Sequence, residues 1–204
     1  MYYHYRKWSR DGSLQKVFES SVLTIVEALD LSEINLDGSH SLAKKGGEGV
    51  AYQRRKKAKT SNILPLSDAK GYIVGLSQFL AGNHNDAFEL KPSLQKAFKD
   101  LKRLGLDLKG AFFNADSAFD TKAARKVCFN HGLIPNIAEN KRNRKKPKRG
   151  RKRLFSKEVY KRRFVAERSF AQVSISDAGT MCLTCGLISL EVYSSALSAK
   201  RSSA

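Results

Sequence analysis

Residues 110–116, with the sequence GAFFNAD, form a short apolar run that ends in an acid and is followed by SAFD at 117–120. A similar run at residues 33–37, EINLD, is followed by GSH at 38–40. Short apolar runs bounded by turn residues are typical of buried strands. Both stretches therefore predict a strand that ends with a carboxylate, Asp116 or Asp37, at the rim of a sheet.

Residues 160–167, YKRRFVAE, place Tyr160, Arg163 and Glu167 at spacings of three and four in a segment whose pattern predicts a helix. Side chains at these spacings lie on one face of a helix. A carboxylate held beside an arginine on a cationic helix suits a site for a metal ion and a phosphate. Taken alone, the stretch is equally compatible with a solvated basic helix that has one intrahelical ion pair.

The three acids together predict a metal site. Carboxylates on two strand ends and one helix can hold two divalent ions about 3.5–4 Å apart, which clamp the attacking and leaving oxygens of a phosphoryl transfer. Acids that follow strands are also common turn-forming residues. That alternative explains Asp37 or Asp116 alone, but it explains the set with Glu167 less well.

The stretches 37–40 and 116–120 and the array of Tyr160, Arg163 and Glu167 resemble the three signature boxes of bacterial insertion-sequence transposases of the DDE class. The resemblance runs from about residue 3 to about residue 173, with the boxes in the expected order. It implies an RNase H-like fold and an enzyme that uses two Mg²⁺ ions, with Mn²⁺ as a substitute. It also implies that Asp37, Asp116 and Glu167 are the catalytic, metal-binding triad. Tyr160 and Arg163 would lie near the phosphates of the transposon ends.

The hydrophobic pattern agrees with that fold class, an α/β RNase H-like mixed sheet of about five strands flanked by helices. Helices are predicted at residues 13–30, 86–104 and 121–131, ahead of the helix that carries Glu167. Strands are predicted near 34–37, 62–66, 72–79, 111–115 and 133–137. This order predicts a meander that is followed by crossover connections.

Positive charge is concentrated in one segment. The formal net charge is +19, and residues 141–172 hold 15 basic and 2 acidic side chains. Pro147 and Gly150 interrupt any helix here, so residues 141–153 are expected to form a flexible arm that orders on a polyanion. Such an arm binds phosphates without reading sequence, and its affinity depends strongly on salt. Its cations are Lys141, Arg142, Arg144, Lys145, Lys146, Lys148, Arg149, Arg151, Lys152 and Arg153.

A second basic cluster, made of Arg54, Arg55, Lys56 and Lys57, precedes the second predicted strand and is expected to line the same DNA path. The expected partner is double-stranded DNA, both transposon ends and target, with self-association on the DNA. A solvated segment that improves solubility is the alternative. A membrane-surface patch is disfavoured because no amphipathic basic helix with large apolar anchors accompanies the arm.

Several other classes of protein are weakened by the sequence. No apolar stretch approaches the roughly 18 residues needed to span a bilayer, and the start lacks a signal-peptide pattern. The expected location is the bacterial cytoplasm, in association with the nucleoid. The three cysteines, Cys128, Cys182 and Cys185, make neither a disulfide framework nor a complete zinc ligand set.

The expected organisation has three parts: a helical remnant of an N-terminal region (1–30), the catalytic domain (31–172) and an off-pattern tail (173–204). Family members carry more chain upstream for end recognition, so we expect an N-terminal truncation. Ser174 stands where the family signature has a lysine, and the tail is rich in serine. Reading a back-translated tail in a shifted frame can recover a lysine and an aromatic run. A frameshift is therefore expected, with a divergent C-terminal helix as the alternative.

Two classes of function follow. The first is a transposase that cleaves and joins DNA strands at insertion-sequence ends, with water and then a 3′-hydroxyl as nucleophile. The second is a catalytically inactive DNA-binding remnant of that enzyme. A stand-alone RNase H-like nuclease is a third possibility, distinguished by cleavage of DNA that lacks any transposon end.

Overall fold

The computed structural model describes residues 2–42, 50–85, 87–140 and 153–167. Its seven strands are β1 (Glu33–Leu36), β2 (Ser39–Leu42), β3 (Ala51–Gln53), β4 (Ala58–Ser67), β5 (Ile73–Ala81), β6 (Phe112–Ala115) and β7 (Ile134–Ile137). Its helices are α1 (Tyr2–Asp11), α2 (Ser13–Thr24), α3 (Leu90–Arg103), α4 (Lys122–Asn130) and α5 (Lys157–Arg162). Short 3₁₀ turns cover Val26–Ala28 and Ser117–Phe119.

All seven strands belong to one mixed sheet. Strands β1, β6 and β7 are parallel neighbours, while β4 runs antiparallel to β1 and to β5. The β4–β5 hairpin is thus the meander, and α4 makes the crossover between β6 and β7. The predicted α/β class with an RNase H-like mixed sheet is confirmed.

The five predicted strands are all present, but β2 and β3 were not predicted. Strand β2 has the polar sequence SHSL, and β3 has only three residues. Both are held by backbone pairing to the ten-residue strand β4 rather than by an apolar pattern of their own. Strand propensity depends strongly on such context, so short polar strands escape a sequence reading.

The predicted helices are present with shorter bounds. The helix expected over 13–30 ends at Thr24 and continues as the 3₁₀ turn Val26–Ala28. Gly12, at φ 80°, separates it from α1, because this left-handed conformation is one that glycine adopts without steric cost. Among the described residues no helix is both long enough and apolar enough to cross a membrane.

The two faces of the sheet differ in polarity. On one face Ile34, Leu36, Phe113 and Ala115 are fully buried, and Phe113 meets Phe98 of α3 edge to face at 5.6 Å between ring centroids. On the other face the same strands present Glu33, Asn35 and Asn114, also buried. Side chains alternate between faces along a strand. One face therefore forms the apolar core with α3 and α4, and the other receives α5.

Candidate functional site

Asp37 and Asp116 follow directly after β1 and β6, two strands that pair in parallel. The last residues of these strands, Leu36 and Ala115, are register partners. Neighbouring strands lie about 4.8 Å apart. The two aspartates therefore leave the same edge of the sheet side by side, although 79 positions separate them in the sequence.

Pro65 of β4 explains why the strand is interrupted at Asp37. Leu36 pairs with Leu66 and Ser39 with Ile63, so the unchanged register sets Asp37 opposite Pro65. Proline has no amide hydrogen to donate to a ladder. The gap between β1 and β2 covers Asp37 and Gly38, and the Asp37 carboxylate accepts a hydrogen bond from the amide of Gly38 at 2.9 Å. The sequence analysis did not single out Pro65.

Asp116 is positioned by the turn that follows β6. Its carboxylate caps the 3₁₀ turn Ser117–Phe119 and accepts the amide hydrogen of Ser117 at 2.5 Å. The same oxygen accepts the hydroxyl of Tyr160 at 3.5 Å. Asp116 is thereby linked both to its own strand end and to α5.

Helix α5 and the helical segment that follows it supply the remaining predicted residues, and the predicted single helix is interrupted at Arg163. The N-cap of α5 is Ser156, whose hydroxyl accepts the amide hydrogen of Val159, and the helix ends at Arg162 with Arg163 as its C-cap. A further helical segment covers residues 164–167. The Arg163 guanidinium lies 5.5 Å from the Tyr160 ring centroid and pairs with Glu167 at 3.6 Å. The three side chains therefore share one side of this segment.

Arg163 contacts both Asp37 and Glu167, the two acids of the set that lie farthest apart in the sequence. One terminal nitrogen lies 3.5 Å from a carboxylate oxygen of Asp37, and the other lies 3.6 Å from one of Glu167. The structure thus brings Asp37, Asp116, Tyr160, Arg163 and Glu167 to one edge of the sheet. In the part of the chain that the structure describes, no three Asp, Glu, His or Cys side chains are grouped closely enough to hold a metal ion. The guanidinium lies between Asp37 and Glu167.

Negative charge accumulates at this edge. Burial raises the pKa of Asp37, and the carboxylates of Glu167 and Asp116 raise it further, whereas Arg163 and the Gly38 amide act in the opposite direction. Burial likewise raises the pKa of Tyr160, with Arg163 opposing and Asp116 adding to the shift. The Tyr160 phenol is therefore protonated at neutral pH and able to donate.

Asp120, which ends the 116–120 stretch, has a different environment. Its carboxylate accepts the Nε hydrogen of Arg125 at 2.9 Å, a guanidinium hydrogen of Arg153 at 2.6 Å and the amide hydrogen of Asn140 at 3.2 Å. Burial acts to raise its pKa, but these donors outweigh burial and the pKa is lowered. Asp120 is therefore a structural anchor whose partners precede and follow residues 141–152.

The predicted DNA-binding residues fall into three groups. Lys141, Arg142, Arg144, Lys145, Lys146, Lys148, Arg149, Arg151 and Lys152 lie outside the described residues, as does the tail after residue 167. Arg153 is engaged in its ion pair with Asp120. Arg54, Arg55, Lys56 and Lys57 form the exposed turn between β3 and β4, where the Lys56 ammonium donates to the carbonyl of His40 at 2.9 Å.

The β3–β4 turn extends past the edge that carries the acids. Strand β4 runs antiparallel to β1, so its first residues lie beyond the point where β1 ends. Eight positions separate Lys57 from Pro65, the residue opposite Asp37, which corresponds to roughly 26 Å of extended strand. The cationic turn therefore lies at the start of β4, beyond the ends of β1 and β6 that carry the acids.

A family model described as DDE superfamily endonuclease matches residues 29–174 of this chain. The matched segment contains Asp37, Asp116 and Glu167 and all seven strands. Neither a curated protein nor a solved structure matches the chain significantly. Because the match covers more than half of the sequence, the chain belongs to the DDE superfamily endonuclease family.

Proposed function

We propose that this member of the DDE superfamily endonucleases is a metal-dependent enzyme of the transposase type, which cleaves DNA strands and joins them at insertion-sequence ends. One observation carries the proposal. Asp37 and Asp116 leave the paired ends of two parallel strands, and Arg163 connects Asp37 to Glu167. This family's chemistry needs acids gathered around one phosphate, and here three acids from distant parts of the sequence share one edge.

The donor set suits magnesium or manganese. Carboxylate oxygens are the ligands that hard divalent cations prefer, and Asp37, Asp116 and Glu167 would hold the ions. When bound, a pair of such ions supplies an activated oxygen nucleophile and neutralises charge on the leaving oxygen. Burial is the main cause of the raised pKa of Asp37, and the carboxylates of Glu167 and Asp116 add to the shift against the opposing guanidinium of Arg163.

Arg163 and Tyr160 would bind and orient the phosphate. The Arg163 contacts of 3.5 and 3.6 Å are longer than the 2.7–2.9 Å or so of a strong charge-assisted hydrogen bond. Its side chain is only 12% exposed, so its planar donors are held in place and yet weakly committed. The guanidinium can therefore exchange its acidic partners for phosphate oxygens. The protonated Tyr160 hydroxyl, which donates to Asp116 here, can donate to the phosphate in the same way.

DNA is the partner that the charge distribution favours. The cations of residues 141–153 and of the β3–β4 turn provide sequence-independent phosphate contacts, which suit both transposon ends and target DNA. Self-association on DNA would bring two ends together. Replacing the nine cations of 141–152 with glutamine, while keeping Arg153 for its ion pair with Asp120, should weaken binding to all sequences and flatten its salt dependence, since each lost contact lowers the slope by about one. Titration at several salt concentrations measures this, and an unchanged slope contradicts the arm's role.

A non-catalytic DNA-binding protein is the second candidate. Arg163 already places a positive charge between Asp37 and Glu167, which is the arrangement expected if no metal ion binds there. In that case DNA binding would persist without cleavage, and the acids would serve only to hold α5.

Cleavage assays on the full chain separate these candidates. Supercoiled plasmid and labelled duplexes that carry the gene's own flanking repeats are incubated with Mg²⁺, Mn²⁺ or Ca²⁺. We expect nicking and strand joining in Mg²⁺ or Mn²⁺, and loss of both in Asp37→Asn, Asp116→Asn and Glu167→Gln. Glu158→Gln is the matched control, because it removes an equal charge from an exposed position of α5. Binding without cleavage in wild type supports the second candidate, and equal cleavage of DNA without repeats indicates a stand-alone nuclease.

A further inference from the structure

Three asparagines occupy matching positions in the parallel strands. Asn35, Asn114 and Asn136 are each the third residue of β1, β6 and β7, and Asn114 is the register partner of both others. Each is at most 1% exposed. Buried amides in the middle of a sheet are costly unless every donor and acceptor is used. Because the three asparagines occupy the same position in adjacent strands, we treat them as one group.

The asparagine side chains form a head-to-tail chain of hydrogen bonds. Asn136 donates to the Asn114 side-chain oxygen at 2.7 Å, and Asn114 donates to that of Asn35 at 2.9 Å. Asn35 in turn donates to the backbone carbonyl of Asp68 at 3.2 Å. Each amide uses its oxygen toward one neighbour and its nitrogen toward the next. Networks in which every side-chain nitrogen and oxygen has a partner stabilise one arrangement of a core over its alternatives.

The chain of amides ends on Ser156, the N-cap residue of α5. The Asn136 oxygen accepts the amide hydrogen of Ser156 at 2.8 Å, and its nitrogen donates to the Ser156 carbonyl at 3.1 Å. Only a side chain with both a donor and an acceptor can make this pair of bonds. The start of α5 is therefore attached to β7 by its backbone, independently of the side chains that α5 carries.

The end of α5 is attached to β1 through a buried acid. Both Nε and a terminal nitrogen of Arg162 donate to one oxygen of Glu33, the former at 2.6 Å, while Asn114 donates to its other oxygen at 3.0 Å. Glu33 is 3% exposed. Arg162 and Arg163 thus contact acids at opposite ends of β1, since Glu33 is its first residue and Asp37 follows its last.

We propose that Asn136 and Glu33, joined through Asn114, are positioning residues that hold the two ends of α5 against the sheet and so place Tyr160, Arg163 and Glu167 at the strand ends. Neither residue reaches the site itself. They act through the backbone of Ser156 and the side chain of Arg162. The placement of α5 follows from the contacts alone, and only the consequence for cleavage rests on the proposed function.

Hydrogen exchange on the full chain tests the placement. Arg162→Gln removes the bonds at the helix end from a side chain that is 59% exposed, so the variant is expected to fold. Asn136→Asp keeps the shape but removes the donor. Because hydrogen bonds to charged groups are among the strongest, we expect at least about tenfold faster exchange of the 159–163 amides. Lys161→Gln, which removes the same charge from an exposed position of α5, should leave exchange unchanged. Unchanged exchange in Arg162→Gln, and in Asn136→Asp if it folds, overturns the inference.

The cleavage rate tests the positioning role separately from any effect on overall stability. With DNA affinity and melting temperature close to wild type, Arg162→Gln should lower the maximal cleavage rate about tenfold, and Arg162→Lys should recover part of it. Faster exchange with an unchanged cleavage rate would overturn the positioning role. If wild type does not cleave DNA, the proposed function fails, while the exchange experiment still decides the placement of α5.

Discussion

Two polar clusters lie on the same side of this protein and are built differently. In the strand-end cluster (Asp37, Asp116, Tyr160, Arg163 and Glu167), the side chains approach one another at 3.5–3.6 Å. In the sheet-face network (Glu33, Asn35, Asn114, Asn136, Ser156 and Arg162), the contacts measure 2.5–3.1 Å. The network commits its donors and acceptors to the fold. The strand-end cluster holds its groups near one another without tight bonds between them, as an incoming ligand requires.

Two aspartates, Asp37 and Asp120, show the same contrast in their pKa values. Burial and nearby carboxylates raise the pKa of Asp37, whereas the donors from Arg125, Asn140 and Arg153 lower that of Asp120 despite burial. Ionised Asp37 therefore works against folding at neutral pH, and ionised Asp120 favours it. Perturbed carboxylates of the first kind are typical of functional sites.

The largest expected effect is a separation of activity from stability at Asp37. Asp37→Asn should lower cleavage by at least about a thousandfold, because several kcal/mol of metal-based stabilisation are lost. Its melting temperature without metal should equal or exceed that of wild type, since a destabilising charge is removed. Mn²⁺ should raise the melting temperature of wild type but not of this variant. A strongly destabilised Asp37→Asn variant would show instead that Asp37 stabilises the fold.

In the sheet-face network, by contrast, a substitution is expected to lower the stability of the fold. Asn114→Asp breaks the donor bonds to Glu33 and Asn35 and buries an acid beside an acid, so it should lower the free energy of unfolding by about 3 kcal/mol. Urea unfolding measures the change. Asn85→Asp, at an exposed position, is the control and should stay near wild type. Equal stability of the two variants would show that the network contributes little to the fold.

Asp120 gives a pH-dependent test. Its pKa is lowered in the folded state, so its contribution is present above the unfolded value and is lost as the pH falls through the folded one. Asp120→Asn should therefore cost about 2 kcal/mol at pH 7, and the difference from wild type should shrink as the pH falls. Unfolding curves from pH 7 down to pH 3 measure this. A difference that persists unchanged in acid would mean that shape, not charge, explains the effect.

The smallest effect on stability is expected at the β3–β4 turn. Replacing Arg54, Arg55, Lys56 and Lys57 with glutamine should change the free energy of unfolding by less than about 0.5 kcal/mol. The salt slope of DNA binding should nevertheless fall, by at most about four. The matched control replaces four exposed lysines of α3, which packs on the face of the sheet opposite to α5. These are Lys91, Lys96, Lys99 and Lys102, and their replacement should leave the salt slope closer to wild type. Equal slopes for both sets would remove the turn from the DNA path.

Much of the sheet and of the candidate site could be predicted from local patterns. The runs at 33–37 and 110–116 identified β1, β6 and the acids after them, because a buried strand and the turn that ends it are specified by adjacent residues. The spacing of Tyr160, Arg163 and Glu167 indicated their common side, because helix geometry depends on the residues of the helix itself. Strands β2 and β3 were missed because their stability comes from β4.

Asn35, Asn114 and Asn136 form a pattern that is present in the sequence but cannot be interpreted from the sequence alone. The strands read EINL, FFNA and IPNI, with asparagine third in each, yet that pattern acquires meaning only when the three strands are aligned. Pro65 is similar, because it interrupts β1 only through a register between residues almost thirty positions apart. Alternation along each strand predicts a face, but not which residues of another strand lie beside it.

The sequence by itself determined the type of most elements, the acids at two strand ends, the spacing of Tyr160, Arg163 and Glu167 and the cationic character of the chain. These features depend on short-range backbone geometry and on composition. Only the tertiary structure decided that β1 lies between β4 and β6, and that Arg162 and Arg163 contact opposite ends of one strand. It also decided that Asp120, four residues after Asp116, serves as an anchor. These outcomes depend on pairing between distant segments, because packing and hydrogen bonding across the whole core select the register.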